Sequence, residues 1–186
     1  LKALMPNVSI SVLTFNFCKT LFENNPNIDE LYGLPGDSSS GEIKKITKTL
    51  SGKNFDLVIN LHSRNFSSQL AKKIKSRWRI SGSYMIREKD TDVLIGSDHE
   101  LDKTSIERDL DCLRVLGLDP VDKEPEIFIT EEEKRWAKEK LAELKVDPLK
   151  KLVMIHPESS QLHKNWGLER FVQLSRNLIN DCGYQV

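Results

Sequence analysis

Residues 156 to 166 read His156-Pro157-Glu158-Ser159-Ser160-Gln161-Leu162-His163-Lys164-Asn165-Trp166, with two adjacent hydroxyls followed by a single lysine. Ser159 and Ser160 can donate hydrogen bonds to phosphate oxygens. Lys164 can neutralise the charge that gathers on a departing diphosphate. The stretch has neither the glycines nor the Gly-Lys-Ser/Thr ending of a Walker A loop, which argues against a P-loop NTPase. A second reading of the same residues stays open: a solvated loop between strand and helix, with Lys164 an ordinary surface cation. His156 and His163 are read as structural, and Trp166 as a packing residue at a helix entry.

Such a loop can act on an anion only if the elements around it aim it. Ahead of it, residues 151–155 (Lys-Leu-Val-Met-Ile) form an apolar run of strand length. Behind it, Leu168, Phe171, Val172, Ser175, Leu178, Ile179 and Cys182 recur at helical spacing. In open α/β sheets ligands bind beyond the carboxyl ends of strands, where helix N-termini present free N–H groups and the positive end of a dipole.

The rest of the chain repeats the alternation of strand and helix. Residues 8–15 and 28–34 read as strands, the second closed by a Pro35-Gly36-Asp37 turn. Ile43, Ile46 and Leu50 mark one helix face, and residues 55–61 are a nearly continuous apolar run, as in a parallel strand buried on both sides. Phe66, Leu70 and Ile74 share a helix face, residues 77–81 form a further strand, and residues 100–116 a long helix stopped by Gly117. Thr130 with Glu133 signals a capping box for a helix running to about residue 144. Ser38-Ser39-Ser40-Gly41 reads as a loop. This order predicts an α/β fold of βαβ units with parallel sheets. Lys145-Val146-Asp147-Pro148 is the linker expected between a Rossmann-like domain over residues 1–147 and the opening of a second over 148–186.

Composition narrows the function. The 186 residues carry 28 Lys plus Arg and 28 Asp plus Glu, so zero net charge gives no global argument for nucleic acid, and no nucleic-acid partner is expected. Charge is uneven. Residues 64–89 hold eight basic side chains and one acidic, whereas residues 90–143 hold 17 acidic and eight basic. The run Lys72, Lys73, Lys75, Arg77, Arg79 and Arg87, with Trp78 inside it, suits peripheral contact with an anionic membrane face, or else an ordinary solvated helix face and strand. Cys18, Cys112 and Cys182 lack metal-ligand spacing and read as reduced thiols of a cytosolic protein, so no metal site is expected. No apolar run approaches the ~18 residues of a membrane span. The first and last residues read as cut edges of a longer chain.

The loop and two upstream segments together resemble glycosyltransferase family 9, the lipopolysaccharide heptosyltransferase family. His156-Pro157 with its hydroxyls, followed by Lys164-Asn165-Trp166-Gly167, is similar to that family's His-Pro loop and Lys-Arg-Trp-Pro. Phe55-Asp56-Leu57-Val58-Ile59-Asn60-Leu61-His62 resembles its Tyr-Asp-Leu-Val-Ile-Asp-Leu strand. His99-Glu100 followed by Leu110, Leu113 and Leu116-Gly117-Leu118 resembles its His-to-Leu-Gly helix. The chain departs from the pattern at Glu158, where the family has Gly-Ala after His-Pro, and at Asn165 and Gly167, which stand for arginine and proline.

The resemblance implies a GT-B fold of two Rossmann-like parallel-sheet domains, here an incomplete N-terminal domain and the start of the C-terminal one. It implies inverting, metal-independent transfer of a heptose or related sugar, without a cofactor, from a nucleotide diphosphate donor of the ADP-heptose type to a lipopolysaccharide core or similar lipid-linked saccharide. Ser159, Ser160 and Lys164 are the residues it assigns to the donor phosphates, Lys164 also acting catalytically. The carboxylate that serves as general base is expected ahead of Leu1, so the fragment alone is expected to be inactive. His62 and Arg64, after a strand end, are candidates for the acceptor side. A cytoplasmic enzyme, peripheral at the inner membrane through the Lys72 to Arg87 region, is the expected setting. The rival expectation is a non-catalytic module that binds a nucleotide sugar or another anion.

Overall fold

The computed structural model describes residues 1–62, 64–82, 91–96, 103–120 and 122–186. The chain packs as two compact units, Leu1–Phe128 and Ile129–Val186.

In the first unit, β1 (Ser11–Phe15) leads through the short α1 (Asn16–Lys19) to β2 (Glu30–Leu34), and the two strands pair in parallel with Ser11 opposite Glu30. Helix α2 (Ser40–Ser51), β3 (Phe55–Asn60), α3 (Asn65–Lys73), β4 (Ser76–Gly82) and β5 (Val93–Ile95) follow. A second parallel sheet has the order β3-β4-β5, with Phe55 opposite Ser76 and Ile80 opposite Val93. Helix α4 (Ser105–Arg114) closes the unit. The parallel pairs β1–β2 and β3–β4 are joined through α1 and α3, a crossover of the kind that parallel pairing needs.

Local chemistry explains the element ends. Ser39 caps α2: its hydroxyl accepts the Glu42 N–H at 3.3 Å, while the Glu42 carboxylate accepts the Ser39 N–H at 2.8 Å. This capping box lies inside the stretch expected to be a plain loop, because serine and glutamate three apart satisfy two otherwise orphaned donors. Thr104 caps α4 in the simpler way, through the Glu107 N–H. The helix is shorter than the expected 100–116, starting at Ser105; positions 100–102 lie outside the described residues. It ends as a Schellman turn, in which Gly117 at φ +75° donates to the Arg114 carbonyl and Leu118 to that of Leu113.

The core of this unit is Leu34, Leu50, Leu70 and Ile74, with Leu13, Tyr32, Ile43, Ile46, Phe55 and Val58 packed against it. It thus joins both sheets to the inner faces of α2 and α3. Each fully buried Leu or Ile there contributes roughly 1.5–3 kcal/mol.

The second unit contains α5 (Glu131–Glu143), a single 3-10 turn (Leu162–Lys164) and α6 (Leu168–Asn180). Thr130 and Glu133 form the expected capping box on α5. Residues 151–155, expected as a buried strand, are an extended segment with one parallel bridge from Leu152 to Gln185. Met154 is 92% exposed. A short apolar run becomes a buried strand only where sheet neighbours and covering helices meet it, and here a single bridge does. Asp147, in the segment read as a linker, donates its N–H to the Gln185 side-chain oxygen at 2.7 Å and accepts from the Gln185 amide nitrogen at 2.8 Å. Among the described residues no helix is long and apolar enough to cross a membrane.

Candidate active site

The donor-loop candidates lie together in the second unit. Ser159 donates its backbone N–H to Asn165 Oδ1 at 2.7 Å, and its hydroxyl accepts the Gln161 N–H at 3.3 Å. Between these residues the 3-10 turn places Lys164, whose N–H bonds the Gln161 carbonyl at 2.9 Å, and Asn165 donates to the Leu162 carbonyl at 3.1 Å. Residues 159–165 are therefore a small closed ring of backbone. The Ser160 and Lys164 side chains lie on its solvent side, and among the described residues no ion pair engages the Lys164 ammonium. Glu158 is exposed as well.

From this ring the chain turns into α6 through Gly167, at φ +100° and ψ 134°, a conformation open to glycine and closed to the proline of the resembling motif. Gly167 supplies no side-chain cap. The Arg170 N–H bonds the Gly167 carbonyl at 3.2 Å, which leaves the Leu168 and Glu169 N–H groups to solvent or to an anion. Trp166 packs edge-on against Phe171, with ring centroids 5.1 Å apart and planes at 85°, as expected of a residue that fixes the helix entry. Beside it an open, mostly apolar groove of about 280 Å³ runs along Ile155, Pro157, Leu168, Phe171, Val172 and Ile179.

The sequence reading missed Asn165. Its replacement of the resembling arginine was visible, yet its bond to Ser159 was not, because an asparagine side chain reports its partner only once the backbone is folded. The consequence is chemical. The Ser159 N–H is already satisfied, which leaves the Ser159 and Ser160 hydroxyls, the Lys164 ammonium and the amino end of α6 as the donors open to an anion.

In the first unit His62 and Arg64 follow the carboxyl end of β3. Arg64 is the N-cap of α3. Its N–H donates to Ser67 Oγ at 3.1 Å, and its carbonyl accepts the Ser67 and Ser68 hydroxyls at 3.0 and 2.8 Å. The His62 ring meets Phe15 edge-on at 6.3 Å. Phe66, expected on the inner face of α3 with Leu70 and Ile74, instead stacks on Phe15.

The basic run separates into two groups. Lys72, Lys73, Lys75 and Arg77 are exposed, and Trp78 beside them is 53% exposed. Arg79 is not part of that surface. Its guanidinium donates to the Ala71 carbonyl at 3.0 Å, which also accepts the Ile74 N–H, to the Ile74 carbonyl at 3.1 Å and to Ser76 Oγ at 3.2 Å, and so ties down the end of α3. Arg87, like the family-like His99-Glu100, lies outside the described residues. Among the described residues no three or more His, Cys, Asp or Glu side chains gather as a metal site.

The family model described as glycosyltransferase family 9 (heptosyltransferase) matches residues 43–186. The chain belongs to that family. Its sequence is 27% identical to lipopolysaccharide heptosyltransferase 3 of Escherichia coli K12, over all of the chain and 55% of that relative. The fold agrees with the family-9 glycosyl transferase of Veillonella parvula, with a TM-score of 0.79 at 23% identity over 96% of this chain and 52% of that one. It also matches the E. coli ADP-heptose LPS heptosyltransferase II, with a TM-score of 0.70 at 19% identity over 100% of this chain and 56% of that one. A further match is the E. coli heptosyltransferase WaaC with ADP, with a TM-score of 0.64 at 14% identity over 97% of this chain and 58% of that one. The family-9 chain is thus α/β with parallel sheets, of the GT-B type, and spans about half the length of the relatives it matches.

Proposed function

We propose that the whole protein transfers a heptose or related sugar from an ADP-type nucleotide diphosphate donor to a lipopolysaccharide core or similar lipid-linked saccharide, by inverting displacement without a metal. Family membership supports the class of reaction. The observation that carries the site assignment is the closed loop of residues 159–165, in which the Lys164 ammonium has no ion pair among the described residues and stands four residues before the start of α6.

In this reading the acceptor hydroxyl oxygen attacks the anomeric carbon while the bond from that carbon to the donor's phosphate oxygen breaks. The hydroxyl proton goes to a carboxylate of the whole protein acting as general base. The electron pair leaves with the nucleotide diphosphate, and Lys164, the Ser160 hydroxyl and the α6 amino end meet its growing charge. They lower the barrier to the extent that they hold the leaving diphosphate more strongly than the bound donor. Ser159 contributes its hydroxyl from a backbone that Asn165 has fixed. His62 and Arg64 face the acceptor. The enzyme works in the cytoplasm, with Lys72, Lys73, Lys75, Arg77 and Trp78 as its contact with the anionic inner membrane face.

The test is Lys164→Ala in the whole protein. Removal of a positioned charge-stabilising group costs ~3–4 kcal/mol in the transition state, so turnover falls by roughly 100- to 1000-fold. Stability shifts by less than ~0.5 kcal/mol, as for an exposed side chain. Turnover within threefold of wild type discards the assignment.

A second reading, a nucleotide-sugar-binding or anion-binding module without catalysis, is favoured by two details of the loop: the Ser159 N–H is consumed by Asn165, and Glu158 brings a carboxylate beside the proposed phosphate site. Calorimetry with ADP alongside a transfer assay separates the two. Binding without transfer by the whole protein selects the module.

A further inference from the structure

The first unit carries an aromatic cluster that the donor chemistry does not use. Phe15 ends β1, Phe17 lies in α1 and Phe66 in the first turn of α3. The Phe15 ring is stacked with Phe17 at 5.5 Å between centroids and 8° between planes, and with Phe66 at 6.2 Å and 18°. Burial does not account for the arrangement. Phe17 is 75% exposed and Phe66 38% exposed, whereas Leu70 and Ile74 further along the same face reach the core.

Stacked through Phe15, the cluster leaves the Phe17 ring and part of the Phe66 ring open to solvent at the carboxyl ends of β1 and β3, the edge on which open α/β sheets take ligands. Polar groups border them. His62 stands edge-on to Phe15, Arg64 follows it at the cap of α3, and neither side chain takes part in an ion pair among the described residues. Flat rings with a few directional donors at their rim match the two-sided chemistry of a sugar. The axial C–H bonds of a pyranose carry partial positive charge that the negative face of an aromatic ring attracts. Its hydroxyls and any acidic substituent lie at the ring's edge, within reach of imidazole and guanidinium donors. An acyl chain has no use for that polar rim.

We infer that Phe15, Phe17 and Phe66 form a stacking platform for one pyranose ring of the acceptor saccharide, with His62 and Arg64 holding the substituents at its rim. The inference rests on the glycosyltransferase reading and adds to it the part of the acceptor that is gripped.

Saturation-transfer NMR on the whole protein tests it, with deacylated lipopolysaccharide core oligosaccharide as the probe. Irradiation of the aromatic protons should pass magnetisation to the protons of one face of a single sugar ring. Phe17→Leu combined with Phe66→Leu keeps apolar volume but removes the ring faces, and should abolish that transfer and weaken oligosaccharide binding by about tenfold or more. Circular dichroism identical to wild type shows that the variant is folded. Calorimetry with ADP on the same proteins reads the donor side separately. Oligosaccharide binding with no aromatic transfer, binding within twofold of wild type in the folded double variant, or no oligosaccharide binding while ADP binds, each overturns the platform and leaves the donor assignment standing. Loss of both ligands in the wild-type protein overturns the platform and the glycosyltransferase reading together.

Discussion

The Asn165 side-chain oxygen accepts the Ser159 backbone N–H at 2.7 Å, which ties the two ends of the 159–165 loop together across the 3-10 turn. A hydrogen bond of this kind contributes about 1 kcal/mol net. In Asn165→Ala the Ser159 amide should therefore exchange its proton about fivefold faster, read by hydrogen-exchange NMR. Asn165→Asp keeps an acceptor oxygen and should retain the protection; equal loss in both variants would show that the bond does not hold the loop.

Arg79 shows how a cation that looks available is committed elsewhere. Its guanidinium spans the Ala71 and Ile74 carbonyls and Ser76 Oγ. Arg79→Ala removes three hydrogen bonds at the end of α3, although the Ala71 carbonyl keeps the Ile74 N–H, and should destabilise the protein by roughly 2–3 kcal/mol in urea unfolding. Arg79→Lys recovers little, since an ammonium lacks the planar fork that reaches three acceptors. If Arg79→Ala changed membrane binding but left the midpoint untouched, the capping role would be wrong.

Lys145 ends α5 in the left-handed region at φ +58°, where its N–H bonds the Ala142 carbonyl and the Val146 N–H that of Leu141. A side chain costs roughly 1–2 kcal/mol in that conformation. Lys145→Gly should thus stabilise the second unit by about 1 kcal/mol, visible as slower exchange along α5. Slower exchange would be absent, and the strain with it, if the turn relaxed without glycine.

Stability should decline at both ends of the pH scale. Glu30 is held below its ordinary 4.5 by hydrogen bonds from Lys53, Ser11 and Tyr32; Glu107 by Lys123 and Arg114; and Asp29 is below 3.8 through Lys2 and the Ile10 N–H. For lowered carboxylates the stabilisation is complete above the unfolded values and is lost as pH falls through the folded ones. Acid unfolding should begin near pH 4, and Glu30→Gln should flatten that limb. Burial pushes the Cys112 thiol from 9.0 up to about 11. Its contribution is present below pH 9 and fades as pH rises toward 11, so Cys112→Ser, whose hydroxyl does not titrate in this range, should remove the fading. An unchanged alkaline limb in Cys112→Ser would assign it to other groups.

Much of the fold was legible because it follows local periods. The apolar run of β3, the Thr130 and Glu133 spacing that caps α5, and Gly117 after α4 each announced an element through neighbours a few residues away. The Ser39 and Glu42 pair carried the same spacing as Thr130 and Glu133 and was read as loop, since the serines around it masked the cap. Residues 151–155 had the apolar content of a buried strand, but burial depends on what lies beside a strand, which composition does not encode.

By itself the amino-acid order determined the alternation of strands and helices, the set of hydroxyls and one ammonium at Ser159, Ser160 and Lys164, and the family likeness, because each depends on residue type and short spacing. Tertiary structure alone decided that Asn165 closes the 159–165 loop, that Arg79 turns inward to α3, and that Phe66 stacks on Phe15. The physical reason is that hydrogen bonds and ring contacts select partners by position in space, and positions across a loop or between strand ends exist only once the backbone has folded.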